Sequence, residues 1–476
     1  MLKPKKNDLK KISLDIIEAQ YALKNSRGKT NARALLVLIG GVEFSGKGQA
    51  IHQLRELMDP RYLYIKADIP QKYDQYQPFW LPYIADLPSY GQIMLFYGNW
   101  YTDLLASQFS NQQNYSEKQL SGMLLQISDF EQYLKNHGID IIKVWFDISW
   151  EYCQEFVNDL NITKVLHKVP HFAWDNFPTT QWLNKHLFKE IDHIRKKFTA
   201  DWIVINSEQP ELRNYQFSQI ILKALKAPIE IEHKSSSFDY QSAELYPELL
   251  FSSQEKMQKK HYQCLLKKLQ KEIAEVLRYD SRKIILLFEG VDAAGKGGII
   301  KRIIKYVSPY EYNIHCIAKP EDHEKHYPYL WRFYNKLSKK SAIHIFDRSW
   351  YGRVLVERVE ELIEAQDWQS SFKEINQFEK ILTDNNTVII KFWLMISKEE
   401  QLKRFEMREN TPQKKFKITA EDWRNREKWD DYIQAASDMF FYTSTSYAPW
   451  HIIATDDKYT ARIKILTRIL LSLKQE

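Results

Sequence analysis

Short apolar runs rich in β-branched residues recur through the C-terminal half of the chain, at 284–288, 313–318, 342–346, 387–394 and 450–454. Between them the apolar residues fall at three- and four-residue spacing, the helical period. Runs that are apolar on both faces, alternating with amphipathic helices, belong to parallel sheets covered by helices on both sides. The N-terminal half shows the same order, with runs at 34–39, 62–67, 92–96, 141–146 and 202–206. An amphipathic helical stretch precedes each set, at 8–24 and 255–277. The predicted class is therefore α/β, with two tandem domains, each a five-stranded parallel sheet covered by helices.

The halves also repeat in detail. Gly41, Gly46, Lys47 and Gly48 match Gly290, Gly295, Lys296 and Gly297, 249 residues on (290 − 41). Phe96-Tyr-Gly-Asn-Trp-Tyr parallels Phe346-Asp-Arg-Ser-Trp-Tyr, and Lys143-Val-Trp-Phe parallels Lys391-Phe-Trp-Leu. Trp202-Ile-Val-Ile parallels Trp450-His-Ile-Ile. Blocks in one order at nearly one offset indicate an internal duplication. The boundaries predicted are 1–232 for the first domain, 233–250 for a linker that breaks periodicity, and 251–476 for the second.

Candidate chemistry gathers where strands end. Gly290-Val-Asp-Ala-Ala-Gly-Lys-Gly297 lies between an apolar run and a helical pattern, the strand–loop–helix context of a phosphate-binding loop. Gly290, Gly295 and Gly297 let the backbone curl so that its N–H groups face phosphate oxygens. Lys296 supplies a point charge for a terminal phosphate. Gly297 stands where the common motif has Ser or Thr, so the loop carboxylate Asp292 is read as a metal ligand or proton acceptor that takes over part of that duty. Asp347, at the end of the 342–346 run, is the second acid expected to hold the metal, and Arg348 and Arg353 are spaced to clamp phosphate oxygens.

Other cations extend the set. Lys301, Lys319 and Arg332 are candidates for anion contacts, and Arg404 and Arg408 share a helix face four residues apart. The basic 411–417 stretch, with Lys417, has the pattern of a helical lid that closes over phosphates. Asp456 and Lys458, after the last strand, are expected on the nucleotide side. The first half keeps Lys47, but Glu43 replaces Asp292, Tyr97-Gly98 replaces Asp347-Arg348, and Asp103 stands where Arg353 would be. It is expected to be degenerate and inactive.

Composition narrows the partners little. At 476 residues, with 44% hydrophobic and 27% charged content, the chain is ordinary globular protein, and a net charge of +7 is a mild bias towards anions. Cys153, Cys264 and Cys316 share no short spacing, which argues against a disulfide framework or a metal cluster. The N-terminus lacks an apolar signal core and no run reaches the roughly 20 residues that span a bilayer. A cytoplasmic protein that binds neither nucleic acid nor membrane is expected.

The Gly290–Gly297 loop, Tyr329-Leu-Trp-Arg332, Phe346-Asp-Arg-Ser-Trp-Tyr-Gly-Arg353, Ala448-Pro-Trp450 and Asp456-Asp-Lys458 resemble the polyphosphate kinase 2 family, over nearly all of 250–476 and in worn form over 1–230. The family tends to have Trp where Phe416 stands. The resemblance implies a thymidylate-kinase-like fold with a lid. It implies transfer of the terminal phosphoryl group of inorganic polyphosphate to AMP, giving ADP, with Mg2+ or Mn2+ as cofactor. Carried over by position, Asp292, Lys296, Asp347 and Arg348 match the family's loop and second acidic motif. Phosphorylation of ADP or GDP, an ATP-dependent nucleotide kinase and a non-enzymatic scaffold are the alternatives. A homo-oligomer is left open.

Overall fold

The computed structural model describes residues 4, 6–29, 32–42, 44–67, 77–109, 115–159, 185–198, 201–227, 238–250, 256–337, 342–411 and 418–474. The chain groups into two compact units. Unit 1 comprises Met1–Asp74, Pro78–Lys234 and Pro320–Asn335, and unit 2 comprises Gln75–Gln77, Ser235–Lys319 and Lys336–Glu476.

Unit 1 is built on strands β1 (Ala34–Gly41), β2 (Leu63–Ala67), β3 (Ile93–Tyr97), β4 (Ile139–Asp147) and β5 (Trp202–Asn206), in the order β2-β3-β1-β4-β5. Its helices are α1 (Lys6–Lys24), α2 (Lys47–Leu57), α3 (Trp100–Phe109), α4 (Glu117–Asn136), α5 (Trp150–Asp159), α6 (Lys185–Arg195) and α7 (Pro210–Lys226). In unit 2, β6 (Lys283–Gly290), β7 (Tyr312–Cys316), β8 (Ile343–Asp347), β9 (Thr387–Met395) and β10 (Trp450–Ala454) take the same order, β7-β8-β6-β9-β10. The helices that concern the site are α8 (Lys259–Tyr279), α9 (Lys296–Ile303), α10 (Ala365–Asp384), α11 (Lys398–Glu409), α12 (Ala420–Glu427), α13 (Trp429–Thr443) and α14 (Lys458–Lys474). Every strand pairing in both sheets is parallel. Central strands β1 and β6 are buried nearly throughout, as a doubly covered sheet requires.

Residues 320–335 are the one stretch of the second sequence repeat that packs within unit 1. Trp331 Nε1 donates to the carbonyl of Ile84 (2.8 Å), and Tyr133 Oη accepts from the Leu330 amide (3.0 Å). Tyr334 packs edge-on against Trp80.

Both units contain the same buried polar knot. In unit 2, Lys391 of β9 pairs with Glu379 of α10 (2.7 Å) and donates to Tyr351 Oη and the Thr443 carbonyl, both at 2.8 Å. Glu379 also accepts from Trp350 Nε1 (3.0 Å) and Tyr351 Oη (2.8 Å). In unit 1, Lys143 pairs with Glu131 (2.7 Å), which accepts from Trp100 Nε1 (3.0 Å), with Tyr101 alongside. A charge pair this deep survives only when its remaining donors and acceptors are satisfied. Trp350 and Tyr351 lie three and four residues after Asp347, so the knot also anchors the turn after β8.

Removing one partner strands the other. Glu379→Ala should destabilise unit 2 by about 3–5 kcal/mol in urea denaturation, whereas Lys391→Met with Glu379→Leu should recover most of that loss. Equal losses in the single and double variants would contradict this account.

Candidate active site

Unit 2 builds its loop from β6 into α9. Gly290 sits at φ 135°, and a Cβ there would lie 2.2 Å from the Leu394 carbonyl oxygen, so only glycine fits. Ala293 (φ 61°) and Gly295 (φ 106°) complete a left-handed curl, and Gly295 caps α9. Around the ideal Cβ position of Gly295 nothing lies within 4 Å. Lys296 folds back over the loop, donating to the carbonyls of Gly290 (2.6 Å) and Val291 (3.3 Å). Burial pushes its pKa down; Asp292, Asp347 and Glu289 oppose that shift, and Arg348 adds to it.

The second acidic motif arrives through sheet register. Asp347 pairs with Phe288, the third residue from the end of β6, and the Arg348 amide donates to the Phe288 carbonyl (3.0 Å). The Asp347 carboxylate therefore stands beside the start of α9, 3.9 Å from where a Gly297 Cβ would be. Arg348 is held at φ 64°, a conformation that strains a residue with a side chain. Its guanidinium reaches Asp292 Oδ1 (3.2 Å) and Glu421 (3.7 Å). The attraction of Asp292, Glu289 and Glu421 outweighs burial and raises its pKa. Asp292 Oδ2 accepts from Asn425 Nδ2 (2.8 Å), and Gln401 Nε2 donates to the Asp292 carbonyl (3.0 Å).

Two cavities flank the loop. One touches Glu289–Asp292 and Arg348 and is walled by Leu355, Val356, Trp393, Trp429 and Tyr432, with Asn425 and Gln401. The other, a more open cleft, touches Ala294, Gly295 and Gly298. Its cations are Lys403, Arg404, Arg408, Lys458 and Arg462, and Asp456 and Asp457 also line it. The first is apolar and aromatic and suits a ring; the second suits a polyanion.

The expected residues divide accordingly. Gly290, Asp292, Gly295, Lys296, Gly297, Asp347 and Arg348 come together, and Arg408, Asp456 and Lys458 line the basic cleft. Arg353 is paired with Glu357 (2.9 Å). Arg404 is taken up by backbone: it donates to the carbonyls of Ala293 (3.0 Å), Thr455 (2.6 Å) and Asp456 (3.1 Å), so it braces the loop against the end of β10. Asp456 Oδ1 accepts from the amide and hydroxyl of Ser397, the residue that caps α11. Lys301 and Lys319 are exposed and line neither cavity. Arg332 lies in the 320–335 stretch of unit 1, where it pairs with Glu324 (3.2 Å). Lys417 lies outside the described residues, as does 412–416 of the expected lid.

Sequence reasoning missed Glu289, which is 4% exposed, accepts from Ser349 Oγ (2.7 Å), and lines the aromatic cavity. Burial raises its pKa, and Asp347 adds to the shift, while Ser349, Lys296 and Arg348 oppose it. An acidic residue closing an otherwise apolar strand was the available signal. Asn425, Trp429 and Tyr432 carry no motif, Trp393 is legible only as part of the repeat, and the fold alone brings the four together.

Unit 1 keeps the loop and changes its lining. Gly41 (φ 143°), Phe44 (φ 62°) and Gly46 (φ 75°) repeat the curl, and Lys47 donates to the carbonyls of Gly41 (2.7 Å) and Val42 (2.9 Å). Tyr97 pairs with Ile39 as Asp347 does with Phe288, and places its ring 6.0 Å from Lys47 Nζ. Gly98 (φ 110°) holds the position of Arg348, and at Gly40 a Cβ would lie 2.7 Å from the Trp145 ring, where Glu289 stands in unit 2. Asp103 is buried and accepts from Tyr83 Oη (2.9 Å). Glu43 lies outside the described residues.

The sequence profile described as polyphosphate kinase 2 matches residues 3–233 and again 251–476. The chain is 48% identical over 466 residues to a polyphosphate:AMP phosphotransferase of Acinetobacter johnsonii, covering 98% of this chain and 96% of that one. A polyphosphate:AMP phosphotransferase of Pseudomonas aeruginosa is 34% identical over 473 residues, covering 95% and 92%. A GDP-polyphosphate phosphotransferase of the same organism is 36% identical but matches only 46% of this chain. A crystal structure from Pseudomonas aeruginosa PA01, described as a polyphosphate kinase 2, superposes with a TM-score of 0.78 at 30% identity, covering 100% of this chain and 97% of that one.

The strain at position 348 is measurable. Arg348→Gly and Arg348→Ala lose the same guanidinium, but glycine tolerates the positive φ, so Arg348→Gly should be the more stable by about 1 kcal/mol in chemical denaturation. Equal stabilities would mean that the backbone relaxes at no cost.

Proposed function

Because the chain belongs to the polyphosphate kinase 2 family, we propose that it transfers the terminal phosphoryl group of inorganic polyphosphate to AMP, and that unit 2 carries the reaction. The observation that supports this best is the loop standing between an aromatic cavity and a basic cleft. A nucleoside monophosphate in the first and an anionic chain end in the second would meet at Lys296, Asp292 and Asp347. The relatives that align along the whole chain and are named for AMP favour that acceptor over ADP or GDP.

Phosphoryl transfer needs alignment and charge cancellation more than covalent help. Backbone N–H groups of 290–297 and Lys296 hold the donor phosphates. Arg408, Lys403, Lys458 and Arg462 line the track for the chain, with Arg404 bracing the loop beneath it. Arg348 stabilises charge on the transferring group from the acceptor side. Trp393, Trp429 and Tyr432 wall the base, and Glu289 ties the turn after β8 to the loop through Ser349.

Asp292 and Asp347 would hold Mg2+. Among the described residues no group of three His, Cys, Asp or Glu side chains could form an all-protein metal cage. Mg2+ needs none, since it binds through one or two carboxylates plus substrate phosphates and water, so this donor set fits. When bound, the ion neutralises phosphate charge.

Unit 1 is proposed to be catalytically silent. Its loop position opposite the lysine holds tyrosine where unit 2 has aspartate, and it lacks both arginines.

The deciding assay offers AMP, ADP, GMP and GDP to the full chain with polyphosphate and Mg2+. ADP formed from AMP without added ATP is expected, and a requirement for ATP would refute the reading. Lys296→Ala, Asp347→Asn and Arg348→Ala should each lower kcat by about 10²–10³, and Glu289→Gln less, whereas Lys47→Ala should leave turnover intact. If Lys47→Ala abolishes turnover in a folded protein, the division between the units is wrong.

A further inference from the structure

The two loops differ in what lies over them. In unit 2 the space around Gly295 is open and belongs to the basic cleft, whose lining also includes Ala461 of α14. In unit 1 the matching space is filled. A Cβ on Gly46 would lie 1.8 Å from Arg213 Nη1 and 2.5 Å from Arg213 Cζ.

Arg213 and Ala461 are counterparts. Ser149 donates from its amide and hydroxyl to Glu208 (3.0 and 2.6 Å), as Ser397 does to Asp456 (3.2 and 2.7 Å). Arg213 is the fifth residue after Glu208, and Ala461 the fifth after Asp456. Both are buried, on the first turns of α7 and α14. One position of the last helix is thus a methyl group where the cleft is open and a guanidinium where it is not.

That guanidinium is locked in place. It is 3% exposed, and it donates to the Ser45 carbonyl (3.3 Å), Gln49 Oε1 (2.8 Å) and Asn214 Oδ1 (2.9 Å). Ser45 and Gln49 flank Gly46 and Lys47, so Arg213 stitches the loop to the first turn of its own helix. Its acceptors are neutral, and among the described residues no carboxylate pairs with it. Burial lowers its pKa, and Tyr152 opposes the shift.

We propose that the first loop is a phosphate cradle held shut from within: the Arg213 side chain occupies the space a donor phosphate would need, so substrate polyanion is directed to unit 2 alone. The curl and Lys47 remain because they pack the sheet, and the cradle they form is latent. This rests on the reading that the second loop takes the phosphate donor.

Inorganic tripolyphosphate with Mg2+, titrated calorimetrically into the full chain, tests both. The wild type should bind one equivalent, lost in Lys296→Ala and retained in Lys47→Ala. Failure of that pattern at Lys296 would sink the reading of unit 2 itself. Arg213→Ala installs the residue of unit 2 and should raise the stoichiometry to two, returning to one in Arg213→Ala with Lys47→Ala. The reciprocal variant, Ala461→Arg, should weaken tripolyphosphate binding at least tenfold and depress turnover in parallel, with the circular-dichroism spectrum unchanged. A folded Arg213→Ala that stays at one equivalent overturns the proposal. So does a wild type that already shows a second, Lys47-dependent equivalent, which would make Arg213 a recruiter of anions. If Arg213→Ala does not fold, Ala461→Arg decides: binding as in the wild type overturns the proposal.

Discussion

A glycine packed against a neighbouring strand governs this molecule. At Gly290 the backbone turns away from β6 with the Leu394 carbonyl so close that no side chain could intervene, and Gly41 stands in the same relation to the Phe146 carbonyl. That approach swings the next seven residues back over the strand end, aims their N–H groups into one concavity, and starts α9 or α2 there. The lysine that follows finds its own loop carbonyls within reach in both units. Charge, cavity and helix dipole are all consequences of that one close contact.

What was duplicated and what diverged follow different physics. The buried lysine–glutamate knots are kept in both units, because breaking half of such a pair leaves a charge stranded in the core. Residues facing the loop are under no such constraint. Aspartate gave way to Tyr97, a strained arginine to the unstrained Gly98, and Glu289 to a glycine whose vacated space the Trp145 ring fills. Gly98 is free of the backbone strain that Arg348 carries, and Gly40 of the burial that Glu289 carries. Unit 2 keeps a buried carboxylate, Glu289, and a positive-φ arginine, Arg348, within one loop's reach.

The arrangement of cavities gives the retained charges their use. Aromatic and aliphatic walls lie on the side of Arg348, cations on the side of Gly295, and the loop separates them. Arg404 shows that a cation in such a cleft need not face the ligand. Its three backbone carbonyls tie the loop to the end of β10, which is how the cleft keeps its shape.

The sequence by itself determined the class of fold, the number of strands, the duplication and which residues gather around the second loop. Those follow from local rules: apolar runs of strand length between helical periods, and glycines spaced for a loop of known use. It also identified Asp347, because a strand end beside a phosphate loop is set by register. Only the tertiary structure decided the rest. The placement of Arg332 with unit 1, the diversion of Arg404 to carbonyls, and the walls of Trp393, Asn425, Trp429 and Tyr432 depend on residues far apart in the chain meeting in space. So does the seating of Arg213 over Gly46, which arises from a helix more than 160 residues downstream of the loop. Periodicity reports which face of an element is buried; it carries no record of which side chain that face meets.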